Sequence, residues 1–565
     1  MFSFLRDREK WEKIRNCDEY KVLRDRLEAE YNSLCKDKET PQLPFSMWFE
    51  TIKTGERKKF EDLYFLRRKQ MSVYALMSLI YPENKVCILK LEDILCEICN
   101  EYSWSVPIHL PADRLNERNH IDLFAAETGL YLAEIKYIFN DRLNPLVLER
   151  ISRELDMRII KSFKNNTYFF ENCKSNWASV CGGAVGIVLL YENPDVYMEV
   201  KPRIEKCMSN YLEGIGEDGS VSEGMSYWLY GFGFYCLYND MLKRYTFNRI
   251  DYFQNEKVKK IAGFFSGICM SNSTVYSFSD SSQKLSYDIA TLYYLNKIMD
   301  VSVPSIECGD LAVWKFSWAI RAFLYYNPDT SKSEVKNGVS FYEKLQCYIN
   351  RNDKYAFAIK GGHNKEEHNH NDVGSFVIVS DNKQLLCDLG APVYTAHTMS
   401  EKAYDDVIEK SSFGHSVPII NGKGQGYGRE YFGTLTVNEN NTVKIDFAKA
   451  YPVEINKLIR IFELKENEII LSDEFDENVK WQERFVTEFE PVVSEGNIKI
   501  ECMNILFDET KYTTEVETVN TKTHANADRI VYTITFTPKL SLSKASFKLV
   551  FAEETKREGM SSLNF

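Results

Sequence analysis

Pro328-Asp329-Thr330-Ser331-Lys332-Ser333-Glu334-Val335-Lys336-Asn337-Gly338 separates two kinds of sequence in this chain. The stretch opens on proline, closes on glycine and is polar between them, which is linker chemistry. On its N-terminal side apolar residues recur every three or four positions. Between His120 and Asn140, Phe124, Thr128, Tyr131, Ile135 and Ile138 keep helical spacing, with Glu127 and Glu134 on other faces. Asn144-Pro145 stops that helix and starts another, because proline is well placed in a first helical turn. Val147, Ile151, Leu155 and Ile159 then fall four apart, and similar pairs recur over 200–245 and 255–300. Helix pairs with short connections predict a helical barrel or solenoid, although no strict period marks a repeat family. On the C-terminal side the period is two, as in Val443/Ile445/Phe447, Ile530/Tyr532/Ile534/Phe536 and Phe547/Leu549/Phe551. Lys465-Glu466-Asn467 reads as a hairpin loop between two such runs. The expected organisation is an all-helical domain over 1–327, a linker at 328–338 and an antiparallel β-sandwich over 339–565.

Composition narrows the function. At 565 residues the chain is too long for one ordinary core. It is 44% hydrophobic and 27% charged, which is globular. A net charge of −12 argues against nucleic acid and requires any anionic substrate to meet a locally basic cleft. The start Met1-Phe-Ser-Phe-Leu-Arg-Asp-Arg-Glu-Lys has charges where an export signal needs an apolar stretch. The run from Val180 to Tyr191 is far short of the roughly 20 apolar residues needed to span a bilayer. No membrane partner is expected, and fourteen cysteines without framework spacing suit reduced thiols in a cytoplasmic protein. Cys96 and Cys99 form a lone CxxC with no second pair to complete a zinc site.

Histidine is concentrated in one place. Five of the eight lie between residues 363 and 415, and two are one residue apart in His363-Asn-Lys-Glu-Glu-His368-Asn-His370-Asn-Asp372. A solvated polar loop is the plain reading; a metal site or proton transfer near neutral pH is the functional one. Downstream, Gly374-Ser-Phe-Val-Ile-Val-Ser380, Asp381-Asn382 and Lys383-Gln-Leu-Leu-Cys-Asp388 read as a β-hairpin. Its turn at Asp381-Asn382 sets Asp388 near Ser375, so a bend at Val373-Gly374 is needed to bring His370 alongside. His415, in Ser411-Ser-Phe-Gly-His-Ser-Val-Pro418, is a third candidate ligand. Two imidazoles and a carboxylate, His370, His415 and Asp388, suit a divalent transition metal, zinc first.

These residues resemble the heparinase II/III family of polysaccharide lyases. The likeness rests on Gly361-Gly-His-Asn-Lys-Glu-Glu-His-Asn-His-Asn-Asp-Val-Gly-Ser-Phe376 with Leu386-Cys-Asp-Leu-Gly390, and on Tyr394-Thr-Ala-His-Thr398 running to Phe413-Gly-His-Ser-Val-Pro-Ile-Ile-Asn-Gly422. In the helical half it rests on Ser175-Asn-Trp177 with Gly182-Gly183, and on Asp218-Gly-Ser-Val-Ser-Glu-Gly-Met-Ser-Tyr-Trp-Leu-Tyr-Gly231. The resemblance as a whole spans about residues 105–425. The resemblance implies an (α/α) toroid, an incomplete helical barrel, followed by an antiparallel β-sandwich. It also implies β-elimination on uronate-containing chains of glycosaminoglycan type: heparan sulfate, chondroitin sulfate or hyaluronan.

It implies Tyr227 as general acid and also candidate base, Asn176 as the amide that neutralises the uronate carboxylate, and His368 as base or neutraliser. His370, Asp388 and His415 would hold a mainly structural zinc ion, and Tyr230, Trp177, Tyr404, Glu223, His363 and His120 would contact substrate. On this reading the phenol and His368 must act on one sugar. Two positions depart from the family: Trp177 stands where alginate-cleaving relatives have histidine, and Leu229 where some members carry a basic residue. Alternatives from the residues alone are core packing for Tyr227 and Tyr230 and a helix cap for Asn176. The rival functions are an alginate or other polyuronate lyase, a metal-dependent glycan hydrolase and a sugar-binding protein without catalysis. The expected partner is an anionic polysaccharide or oligosaccharide; assembly as a homodimer stays open.

Overall fold

Helices begin where the sequence supplies caps. In the computed structural model of the chain, which describes residues 2–111, 118–221, 224–299, 301–330, 335–366, 368–395, 397–438, 441–477 and 479–552, Asp122 Oδ1 accepts the Ala125 N–H at 2.7 Å and starts the Leu123–Ile138 helix. Asn144 caps the Pro145–Leu155 helix, accepting the Leu146 N–H at 3.0 Å. Asn176 is the first residue of the Asn176–Glu192 helix, and Ser175 holds the cap position without a side-chain cap bond. The apolar run from Val180 lies inside this helix, buried on almost every face by the Leu123–Ile138, Pro194–Gly214 and Met225–Tyr245 helices. No helix among the described residues is long and apolar enough to cross a membrane.

The chain forms an N-terminal (α/α) toroid and a C-terminal antiparallel β-sandwich, divided between two compact units that do not follow one cut in the sequence. The first unit is Met1–Gly219, Met225–Gly263 and Ser286–Ser333. The second is Ser220–Gly224, Phe264–Leu285 and Glu334–Phe565. Two short segments embedded in the helical sequence therefore belong to the second unit.

In the first unit, residues distant in sequence tie the helices together. Arg321 Nη2, on the Phe316–Tyr325 helix, pairs with Glu134 Oε1 at 2.6 Å, both side chains fully buried. Arg26 donates to the carbonyls of Gly309 at 2.7 Å and Ile306 at 2.8 Å, joining an early helix to the end of the helical sequence. The Met225–Tyr245 and Asn176–Glu192 helices approach closely at Gly231, where a Cβ would lie 2.8 Å from the Tyr211 ring and 3.1 Å from Asn176 Cβ. Ser179 Oγ donates to the Gly231 carbonyl at 2.8 Å across the same contact.

In the second unit every sheet is antiparallel. One has the order Val492–Ser494, Asn497–Ile500, Met503–Leu506, Lys544–Phe551, Glu468–Phe475, Leu458–Leu464, Thr442–Asp446, Gly428–Asn438, Gly362–Asn364. A second runs Tyr512–Lys522, Asp528–Pro538, Trp481–Thr487, Ile419–Ile420, and a third Gly338–Tyr342, Cys347–Arg351, Ala356–Lys360, Phe376–Ser380, Lys383–Leu386. Phe357, Phe376, Phe462, Phe485, Phe536 and Phe547 fill one core drawn from all three. Alternation holds along Lys544–Phe551, where Phe547, Leu549 and Phe551 point inward. It fails along Asp528–Pro538, where Ile530 is exposed and Val531 and Thr533 are buried, because residues 533–536 are covered on both faces.

Candidate functional site

The histidine run is held by backbone devices. His363 is on the Gly362–Asn364 strand, Gly374 takes φ +85° to make the bend before the Phe376–Ser380 strand, and its Cα faces the Phe447 ring so closely that a Cβ would sit 2.8 Å from it. The hairpin turns at Asp381-Asn382, and a bulge between Ile378 and Val379 shifts the register so that Ile378 faces Leu386. Asp388 lies just beyond that strand, fully buried, with Oδ1 accepting the Gly390 N–H at 2.8 Å.

These devices bring His370, Asp388, His415 and Asp372 together, all fully buried, with one ligand atom of each within 4.8 Å of the others. His415 Nε2–H donates to the Glu409 carbonyl at 3.0 Å, and His370 Nε2–H to Asp280 Oδ1 at 3.0 Å. Each imidazole thus spends its Nε2 and turns Nδ1 into the cluster. His370 Nδ1, His415 Nδ1, Asp388 Oδ2 and Asp372 Oδ2 have no hydrogen-bond partner among the described residues. His415 Nδ1 lies 3.1 Å from Asp388 Oδ2. Burial works against charge on both groups, but their mutual attraction holds the His415 pKa up and the Asp388 pKa down. Buried, unspent nitrogen and oxygen atoms converging in this way fit a bound cation. The predicted ligands His370, Asp388 and His415 are brought together; Asp372, also held by Lys360 Nζ at 2.6 Å, joins them without having been predicted.

Asp280 is the residue that sequence reading missed. It comes from the Phe264–Leu285 segment of the second unit. Its side chain is 2% exposed and accepts from three groups: His368 Nδ1 at 3.1 Å, His370 Nε2 at 3.0 Å and the Tyr394 hydroxyl at 2.8 Å. Burial alone would raise its pKa; the bonds from His368 and His370, the nearby imidazole charge and Tyr394 outweigh it and hold the carboxyl well below the ordinary range. The Asp280 N–H also donates to the His368 carbonyl at 3.1 Å. His368 itself has φ +58°, a left-handed conformation that a non-glycine residue keeps only when its surroundings enforce it. One carboxylate therefore joins the buried cluster to a partly exposed imidazole.

Around it, Tyr404 stacks on Tyr427 with ring centroids 4.0 Å apart, and the buried Lys410 ammonium lies 4.8 Å from the Tyr404 ring centre. Lys365 Nζ donates to the Tyr427 hydroxyl at 2.6 Å. His363 is engaged locally, with Nε2 3.0 Å from Glu366 Oε1 and Nδ1 accepting the Lys365 N–H.

In the first unit, Tyr227 is half-buried in the first turn of the Met225–Tyr245 helix. Asn176 is buried where that helix crosses its own, one turn from Tyr227 at Gly231. Tyr230 donates to Glu127, which also accepts from the Tyr131 hydroxyl at 2.8 Å. Burial, then the Glu127 charge, push the Tyr230 pKa well up, so its phenol is tied into the helix packing. Its ring lies 4.1 Å from the Lys315 ammonium. Trp177 is half-buried. His120, expected to contact substrate, is buried against Tyr168, where the Ser105 and Ser162 hydroxyls hold its loop by donating to the carbonyls of His120 and Asn119, each at 2.7 Å. Glu223 lies outside the described residues.

A helical toroid followed by an antiparallel sandwich is also the fold of several solved polysaccharide lyases. Heparinase III superposes with a TM-score of 0.61 at 13% identity, over 86% of this chain and 76% of that one. The heparan sulfate lyase of Pedobacter heparinus gives 0.58 at 11%, over 96% and 92%. The chondroitin AC lyase of Streptomyces coelicolor A3, solved with chondroitin sulphate, gives 0.58 at 10%, over 97% and 82%. At such identities the likeness is one of fold. No family model matches the sequence, and no curated protein matches it.

Proposed function

We propose that this chain is a lyase that cleaves uronate-containing polysaccharides or their oligosaccharides, of glycosaminoglycan type, by β-elimination. The observation that carries the reading is the Asp280 clamp, which fixes the His368 imidazole on a buried carboxylate while leaving the ring 24% exposed. In β-elimination a base removes the C5 proton of the uronate and an acid protonates the departing oxygen on C4. The C5 proton is barely acidic while the adjacent carboxylate is ionised, so that carboxylate must be neutralised by donors. Asn176 supplies an amide that can donate without a proton change. Tyr227 supplies a phenol for the leaving oxygen, and His368 the base or second neutraliser. His370 and His415 through Nδ1, with Asp388 and Asp372, would hold a zinc ion. When bound it would supply fixed positive charge that braces the histidine run; no proton moves through it. Complete burial of all four side chains favours this structural role over a water-activating hydrolase.

The test is a panel of heparan sulfate, chondroitin sulfate, hyaluronan and alginate, followed by unsaturated-uronate absorbance. The parent should give absorbing product on at least one of the first three, and Tyr227→Phe and His368→Ala should each lose about 100-fold or more in kcat. Full activity in both variants would overturn the residue assignment, and no absorbing product on any substrate would overturn the lyase reading.

A further inference from the structure

His109 is a second imidazole mounted on a buried carboxylate, and neither the motifs nor the assignment above uses it. It ends the short Pro107–His109 turn, and its Nδ1 lies 2.8 Å from Asp122 Oδ2. Asp122 is fully buried and already accepts the Ala125 N–H at 2.7 Å and the Val106 N–H at 3.1 Å. Those two bonds fasten the loop to the helix start without the histidine, so holding the loop does not account for an imidazole at this position. What Asp122 adds is orientation: with Nδ1–H donating to it, Nε2 is the atom left over. No hydrogen bond to Nε2 is found among the described residues, the ring interacts with the Glu61 charge, and the side chain is 20% exposed.

The ring is fixed from two further sides. It stacks on Phe124 with centroids 5.5 Å apart and planes at 11°, and it meets the edge of Trp177 at 5.0 Å and 64°. Trp177 in turn lies 4.8 Å from Phe169, whose side chain is 57% exposed although large and apolar. Trp177 directly follows Asn176, the amide assigned to the uronate carboxylate. An oriented imidazole edge beside an open pair of aromatic rings is a surface that matches a pyranose bearing an acid group: the rings take the apolar face of the sugar, and the doubly protonated imidazole, with Nδ1–H on Asp122, offers Nε2–H to the carboxylate as a charge-assisted donor.

We infer that His109, Trp177 and Phe169 form a subsite for an acidic sugar residue in the first unit, with His109 Nε2 contacting the sugar's carboxylate. The inference rests on the lyase reading for the identity of the glycan and goes beyond it in naming the recognition residues.

The experiment uses the full chain and whichever substrate the parent cleaves. His109→Gln and Phe169→Ala should each raise KM by about 5- to 10-fold and leave kcat within about 2-fold. A carboxyl-reduced oligosaccharide, used as a competitive inhibitor, separates the two contacts: its Ki should be unchanged by His109→Gln and raised by Phe169→Ala. Unchanged KM in both variants overturns the subsite, and so does a His109→Gln effect equal for the native and carboxyl-reduced sugars. Should His109→Gln fail to fold, Phe169→Ala, at an exposed position, decides alone. If the parent cleaves nothing, the lyase reading falls, and equilibrium binding of a uronate hexasaccharide to the parent and both variants still tests the subsite: tighter binding by the parent supports it, equal binding overturns it.

Discussion

Asp280 gives one carboxylate three donors, and removing its charge should be felt at each. Asp280→Asn keeps the volume but cannot hold both imidazoles by accepting from them. A fall in kcat of about 10- to 100-fold is expected, with the protein still folded by circular dichroism. The cluster beside it makes a separate prediction. The proposed zinc should be found by elemental analysis of the purified parent and be missing from His415→Ala, whose melting temperature should be lower by several degrees. A chelator acting on the parent should lower the melting temperature more than it lowers kcat over the first minutes; immediate and complete loss of turnover would point to the hydrolase instead. His370, Asp388 and His415 were legible because a hairpin and a glycine bend join them within 46 residues of sequence (370 to 415). Asp280 was not, because it stands 88 residues before His368 in a serine-rich stretch without period or motif. Tyr394 was in view as part of a motif, but nothing in its spacing told that its hydroxyl would reach Asp280.

Among the elements, the crossing at Gly231 sets how Asn176 is held relative to the helix that carries Tyr227. Gly231→Ala would gain helix propensity and still be unfavourable, since its methyl meets the Tyr211 ring and Asn176. A destabilisation of about 1–3 kcal/mol in urea denaturation is expected, with kcat reduced because Asn176 is displaced. Helix positions were readable where a cap and a period coincide, as at Asp122 and Asn144. The strand at Asp528–Pro538 was readable as a strand but not in its facing: Thr533 and Thr535 look like an outer face in sequence, and only the covering of both sides buries them. The bulge at Ile378/Val379 was invisible for a related reason, since neither residue is glycine and the hairpin reads equally well without it.

At the scale of the whole molecule, stability depends on bonds between distant parts of the chain. Arg321 and Glu134, 187 positions apart, are buried together. Arg321→Met should cost about 3–5 kcal/mol by leaving a buried carboxylate without its counterion, and adding Glu134→Leu should recover most of that loss in the same denaturation assay. The two-part architecture was legible from the change of period around residue 330, but the interleaving of the units was not. Phe264–Leu285 is serine-rich and loses the helical period towards its end, but nothing in it says that it belongs with the later sequence, and it supplies Asp280 to the second unit. The ribosome therefore delivers Asp280 well before the histidines it will hold, and that segment has to wait for them. Recombinant halves divided at the polar linker would part the carboxylate from both of its imidazoles, so a separately expressed C-terminal fragment would be born without the support of its own histidine loop, whatever its sandwich managed to do.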